Sequence, residues 1–291
     1  FRCYDEDKYD QRRVKMKKIL ASLMMVGLIF CLGGCNVPWM KHKTEKTKAA
    51  KVIQADKVEG TMKGMKLKVG VSNDMAPFSY YDSEQKKITG FDIDLLDKLS
   101  EYLGFEYELY PMNMKKLEQK IKNKELDLAI AGISITDERQ REFSFTDTYY
   151  ETYLQIVVRK DSQITDRKEI TEKKVGVVEG TSSAQYAEDY LSEDNKITYY
   201  KNITKVWNDL EKGTIDATIY DTTGIQNYMQ EHADDTNLSV LNEQLNSEES
   251  NYGIMFVKGY KYLDQFNVAL QVLNNDGTYQ KLKEQWIKTK E

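Results

Sequence analysis

Two copies of one short strand signal constrain this chain more than any other feature. Lys68-Val69-Gly70-Val71 and Lys174-Val175-Gly176-Val177 are the same tetrapeptide, and each is followed, past a helical pattern, by a second apolar run. Those second runs are Asp127-Leu128-Ala129-Ile130-Ala131 and Asp216-Ala217-Thr218-Ile219-Tyr220. Short apolar runs bounded by polar residues read as buried strands, and a repeated order reads as two similar lobes. Between them lie amphipathic stretches: Ile93 to Leu103, with Leu95, Leu96, Leu99 and Leu103 at helical spacing, and Met114 to Ile121. The tail repeats the helical period through Phe266, Ala269, Leu270 and Leu273, breaks at Asn275-Asp276-Gly277, and resumes towards Leu282 and Trp286. Alternating strands and helices predict an α/β chain with parallel sheets and helices on both faces. At 291 residues there is room for two such lobes, each with its own core.

Open α/β sheets bind ligands beyond the carboxyl ends of their strands, so the segments after Val71, Ala131, Val177 and Tyr220 are where chemistry is expected. After Ala131 comes Gly132-Ile133-Ser134-Ile135-Thr136-Asp137-Glu138-Arg139, in which Thr136 suits a helix cap and the two acids suit its first turn. Arg139 is one of only four arginines beyond residue 64, and a guanidinium grips a carboxylate at two points where a lysine cannot. A salt bridge to a neighbouring acid is the plainer alternative. Gly180-Thr181-Ser182-Ser183 opens another helical stretch, whose free amides favour an anion. Asp221 suits an ammonium group, or equally a helix cap for Thr222 onward. Together these groups fit the two charges of an α-amino acid.

Composition removes other chemistries. Cys3, Cys31 and Cys35 all lie near the start, and the histidines are His42 and His232, so the body cannot assemble a Cys/His zinc site. No metal or cofactor is expected, and a Ser/His/Asp triad would need His232 alone, in a polar context. Residues 65–291 hold 28 basic and 40 acidic side chains, a surface that repels phosphate backbones and argues against nucleic acid.

The N-terminus reads as an address. Met16-Lys17-Lys18 and the apolar run Ile19 to Phe30, ending in Leu32-Gly33-Gly34-Cys35, form a secretory signal. Leu-Gly-Gly-Cys resembles the lipobox of bacterial lipoproteins, which implies cleavage before Cys35 and lipid attachment to its thiol. An uncleaved signal anchor is the alternative. Residues 1–15 are expected to be an upstream extension, 16–34 the signal peptide, and 35–64 a lysine-rich flexible tether. A membrane lipoprotein without disulfides fits an extracytoplasmic, Gram-positive surface.

Gly90-Phe91-Asp92-Ile93-Asp94-Leu95 resembles the signature of the extracellular solute-binding proteins of polar amino acid ABC importers, and Asp127 to Arg139 is similar to their glutamine-binding branch. Ala76-Pro77-Phe78, Phe145 to Tyr150, Gly180-Thr181 and Asp276 to Tyr279 match as well, so the resemblance covers about 66 to 287. It implies a type II periplasmic-binding-protein fold, two α/β lobes joined by two crossover strands. Lobe 1 would comprise 65–150 and 252–291, lobe 2 would comprise 151–251, and the hinges would lie near Glu151 to Tyr153 and Ser247 to Tyr252. Carried over by position, Arg139 would clamp the α-carboxylate with Ser134 and Ser182. Gly132 and Asp221 would meet the ammonium, and Ser72, Met75, Phe78, Met114, Ala131, Gly180, Thr181 and Tyr220 would complete the pocket. Met75 and Met114 replace an aromatic clamp, and Ser72 replaces an aspartate that reads the side chain, with Asp74 or Glu179 as compensating acids. A polar neutral ligand such as glutamine or cystine is favoured. The partners implied are an ABC permease and its ATPase, with the membrane reached through the lipid anchor. A dehydratase resembling cyclohexadienyl dehydratases, or a ligand-sensing module, are the alternatives on the same fold; no catalytic residues are assigned.

Overall fold

The structure, a computed structural model, describes residues 57–246 and 248–287. The expected extension, signal peptide, Cys35 and most of the tether lie outside the described residues. The tether ends earlier than expected, however. Val58 and Met62 are buried against the first core, and the amides of Gly60 and Met62 donate to the carbonyls of Tyr102 and Leu103. Two apolar residues separated by Glu59, Gly60 and Thr61 make no pattern on their own, which hid this segment from sequence reading.

Two five-stranded sheets carry the body. The first has the order β5 (Glu106–Pro111), β1 (Lys66–Val71), β6 (Leu128–Ala129), β13 (Met255–Val257), β7 (Phe143–Phe145). The second has the order β10 (Lys196–Tyr200), β9 (Lys174–Val178), β11 (Ala217–Asp221), β8 (Leu154–Arg159), β12 (Leu238–Val240). The matched tetrapeptides are therefore equivalent strands, β1 and β9, at the same place in two equally ordered sheets.

The sheets are mixed, which corrects the all-parallel expectation. In the first, β5, β1 and β6 run parallel while β13 pairs antiparallel with both neighbours. In the second, β10, β9 and β11 run parallel and β8 is the reversed strand. The physical reason is the crossover: β8 and β13 are the strands by which the chain arrives from the other lobe, and each enters its new sheet from the cleft side. A small antiparallel sheet, β2 (Asp74–Met75), β3 (Ser79–Asp82) and β4 (Lys87–Thr89), completes the first lobe.

The helices follow the apolar periods. Helix α1 (Phe91–Leu103) buries Phe91, Leu95, Leu96, Leu99 and Leu103, one face at 3–4 residue spacing. Helix α2 (Met114–Lys122) buries Leu117 and Ile121, and α3 (Asp137–Glu142) buries only Arg139. Then come α4 (Ser182–Tyr190), α5 (Ile203–Glu211) and α6 (Thr222–Glu231) in the second lobe. The tail forms α7 (Leu263–Asn275) and α8 (Thr278–Trp286), broken at Gly277 as the pattern predicts. The two crossovers run side by side: Tyr150 bridges Tyr252, Leu154 bridges Leu245, and the Thr152 amide donates to Asn251 Oδ1 at 3.1 Å.

Candidate functional site

The carboxyl ends of β1, β6, β9 and β11 meet between the lobes. Beyond β6 the chain turns through Gly132 into α3, where Thr136 is the cap and accepts from the Arg139 amide at 3.2 Å. That cap starts the helix so that Arg139, buried at 8% exposure, reaches the cleft. Its Nε donates to Glu118 Oε1 at 2.8 Å, Nη1 to the Ser134 carbonyl at 2.9 Å and Nη2 to the Gly180 carbonyl at 2.8 Å. A guanidinium has five N–H groups, so these bonds leave one on each terminal nitrogen, the fork that matches two carboxylate oxygens. The salt bridge expected as the plainer alternative is present, and Glu118 engages the group without exhausting its donors. Ser134 Oγ and Ser182 Oγ stand 3.0 Å apart across the cleft. Thr181 caps α4 by accepting from the Ala184 amide at 3.2 Å, and the amides of Ser182 and Ser183 precede the first intrahelical bond.

Asp221 supplies the opposite charge. It stands at the cap position of α6, yet its side chain makes no cap bond. Its Oδ1 is buried without a hydrogen-bond partner, and so is the hydroxyl of Tyr252. Burial pushes the Asp221 carboxyl up to about 6, with the facing Tyr252 hydroxyl, its own backbone amide and the Arg139 charge pulling the other way. The Tyr252 hydroxyl is close enough to stabilise the carboxylate but does not meet it in bonding geometry. A buried carboxylate oxygen left unpaired is costly, and such a group in a cleft points to a missing donor.

Gly132 holds the turn between these poles. Its φ of 57° suits glycine, and a Cβ there would stand 3.0 Å from Met75 Cε and 3.3 Å from Tyr252 Cε2. Its amide donates to Asp92 Oδ2 at 2.8 Å, and Asp92 Oδ1 accepts from the Tyr149 hydroxyl at 2.9 Å. Burial raises Asp92 to about 7, these two bonds opposing the shift. Gly180 has φ 75°, and a Cβ there would lie 3.0 Å from the Lys115 amide nitrogen, so it lets the lobes touch.

The other expected residues gather around this core. Met75 Sδ accepts from the Tyr220 hydroxyl at 2.9 Å, joining the lobes. Met114 is half-buried at the start of α2, and Ala131 is buried at the end of the β6 segment. Phe78 is fully buried edge-on to Phe91, Tyr150 and Tyr252, and so backs the hinge strands. Ser72 Oγ donates to Asp74 Oδ1 at 2.8 Å. Asp74 and Glu179, the expected compensating acids, are engaged across the cleft, Asp74 with the Ile203 amide at 3.3 Å and Glu179 with Lys115 at 3.6 Å. Sequence reasoning missed Glu118, Tyr149 and Tyr252 as site residues, and saw Asp92 only as part of a motif. An acid one helix away from Arg139 and tyrosines in a crossover carry no local signal.

Residues 67–289 match the family described as bacterial extracellular solute-binding proteins, family 3. The chain belongs to that family. This solute-binding protein is 31% identical over 223 residues to the arginine-binding extracellular protein ArtP of Bacillus subtilis (strain 168), covering 76% of this chain and 86% of ArtP. It is 30% identical over 224 residues to the L-cystine-binding protein TcyJ of Escherichia coli (strain K12), covering 76% and 82%. Among solved structures, an ancestral arginine-binding protein bound to arginine superposes with a TM-score of 0.71 at 31% identity, covering 77% of this chain and 98% of that one. The shared architecture is the type II periplasmic-binding-protein fold.

Proposed function

We propose that this solute-binding protein captures a polar L-amino acid between its lobes and delivers it to an ABC permease driven by a cytoplasmic ATPase. The observation that carries this reading is the buried Asp221 carboxylate, with Oδ1 unpartnered, facing the Arg139 guanidinium across one cleft. An α-carboxylate fits the two unused N–H groups of Arg139 with the Ser182 amide, and an α-ammonium fits Asp221. Charge-assisted bonds of about 1.5 to 3 kcal/mol each, less the cost of ordering, support affinity in the micromolar range. The names of the relatives support an amino acid as the solute. Ser72 in place of an acid supports a neutral polar side chain, glutamine or cystine, and the adaptable Met75 and Met114 support loose shape selection. The protein acts by binding and has no catalytic step.

The location belongs to the same proposal. The signal and the lipobox resemblance support Cys35 as a lipid attachment site that would hold the protein outside the membrane, within reach of the permease. Cys35→Ala is expected to abolish incorporation of labelled fatty acid, and unchanged labelling would remove the anchor.

Thermal unfolding against the common amino acids and cystine tests the solute, since a ligand that binds the native state alone raises the melting temperature. A selective upward shift names the cargo. No shift with any of them, from a protein that unfolds cooperatively, would overturn the amino-acid reading.

A further inference from the structure

Asp74 lies outside the zwitterion grip but touches both lobes. It begins β2 in the first lobe, and its two carboxylate oxygens face different partners. Oδ1 accepts from Ser72 Oγ at 2.8 Å, and Oδ2 accepts from the Ile203 amide, the first residue of α5 in the second lobe, at 3.3 Å. The Asn202 cap takes the Lys205 amide, so the carboxylate supplies an acceptor to a different orphan donor of that helix. The positive end of the nine-residue α5 favours the negative charge there.

Ser72 is placed by the sheet. Gly70 pairs with Ala129 in parallel register, so Ser72 stands level with Ala131, at the carboxyl ends where the cleft opens. A serine hydroxyl has one hydrogen and two lone pairs. The hydrogen is given to Asp74 Oδ1, and the Asp74 amide donates back to Oγ at 3.3 Å. Ser72 therefore has no donor left for a ligand, and one lone pair remains.

We propose that Asp74 is a specificity-determining closure latch: it fixes Ser72 as an acceptor, so that the subsite takes side chains that donate hydrogen bonds, and it docks on α5 only when the lobes close. This rests on the amino-acid reading of the cleft. Of the other described side-chain contacts between the lobes, Arg139 to Gly180, Ser134 to Ser182 and Met75 to Tyr220 belong to the ligand shell itself, and Thr223 to Tyr150 and Asp137 to Glu249 lie beside the hinge strands. The Lys115–Glu179 pair is 3.6 Å apart with the lysine 70% exposed, a geometry that solvent screens. Asp74 alone of these couples a side-chain subsite in one lobe to a helix terminus in the other. A ligand carboxylate at Ser72 would meet a lone pair and the Asp74 charge behind it, whereas an amide or guanidinium N–H would complete the chain of donors.

The test is calorimetric titration of the full-length protein with L-glutamine, L-arginine, L-cystine and L-glutamate, on wild type, Asp74→Asn and Ser72→Ala, with dissociation rates by stopped flow. Intrinsic fluorescence of the tryptophans, Trp207 on α5 among them, is followed as the closure readout. The wild type is expected to hold glutamine or arginine at least about tenfold more tightly than glutamate. Asp74→Asn is expected to lose about tenfold in affinity for the favoured ligand, mainly through faster dissociation, and to narrow the preference over glutamate. Ser72→Ala is expected to narrow the preference while the fluorescence still reports closure. Wild-type affinity and preference in Asp74→Asn, or a wild type that prefers glutamate, would overturn the latch. Binding of none of the four would overturn the latch and its subsite, and the amino-acid reading falls with it only if no common amino acid raises the melting temperature. Small-angle scattering at saturating ligand then tests the latch by itself: a larger radius of gyration in Asp74→Asn than in wild type upholds it, and an equal one overturns it.

Discussion

Asp221 makes the unliganded protein less stable than it would otherwise be. Its native carboxyl titrates at about 6, above the ordinary 3.8, because burial disfavours the charge. Between those values the native state holds more protons than the unfolded chain, so stability falls as pH rises through the window and the cost is full above about 6, roughly 2 to 3 kcal/mol. Asp92, raised to about 7 by burial, acts in the same direction. The unliganded protein is expected to melt higher at pH 5 than at pH 7.5, measured by calorimetry. Asp221→Asn is expected to raise the melting temperature at pH 7.5 by a few degrees and to abolish ligand binding, since the neutral amide removes the desolvation cost and the partner of the ammonium. The ionised acid is the binding form, so affinity is expected to fall about tenfold between pH 7 and pH 5, tested by titration across that range. Arg139→Ala is expected to remove binding while leaving cooperative unfolding; retained affinity would sink the carboxylate clamp.

At the scale of elements, turns and caps aim the functional groups. Thr136→Ala removes the α3 cap and is expected to cost about 1 kcal/mol of stability, read from denaturant unfolding. Its larger effect is on affinity, because that cap sets the direction of Arg139. Gly180→Ala is expected to lower the melting temperature of the unliganded protein by a few degrees, through the strain of alanine at φ 75°, and to weaken ligand binding at least about tenfold. The binding loss comes from its Cβ, 3.0 Å from the Lys115 backbone of the other lobe. These caps and glycines were legible because they sit beside their strands in sequence. The edge strands β5 and β10 were not: β5 buries no residue and β10 only Tyr200, so neither carries an apolar run that rises above a loop signal. The short antiparallel sheet before α1 was hidden for the same reason, each strand spanning four residues or fewer.

Two equal sheet orders joined by paired crossovers make one hinged body. Ligand groups from both lobes meet only when the lobes close, so binding and closure are linked. A ligand at a hundred times its dissociation constant is expected to add about 2.7 kcal/mol of stability, seen as a melting shift that is absent in Arg139→Ala and Asp221→Ala. Small-angle scattering is expected to show compaction in wild type on adding that ligand.

The sequence by itself determined the local terms: strand and helix periods, the break at Gly277, the caps at Thr136 and Thr181, and the doubled order that made two lobes the natural reading. Each depends on residues within a few positions of one another. Tertiary structure alone decided that β8 and β13 run against their neighbours, that Val58 and Met62 join the first core, and that Glu118 holds Arg139. It also removed the cap reading of Asp221, whose side chain leaves its own helix uncapped and faces Tyr252 of a crossover. Such pairings form across long separations in the chain, where burial and unpaired charge act and local pattern has no information.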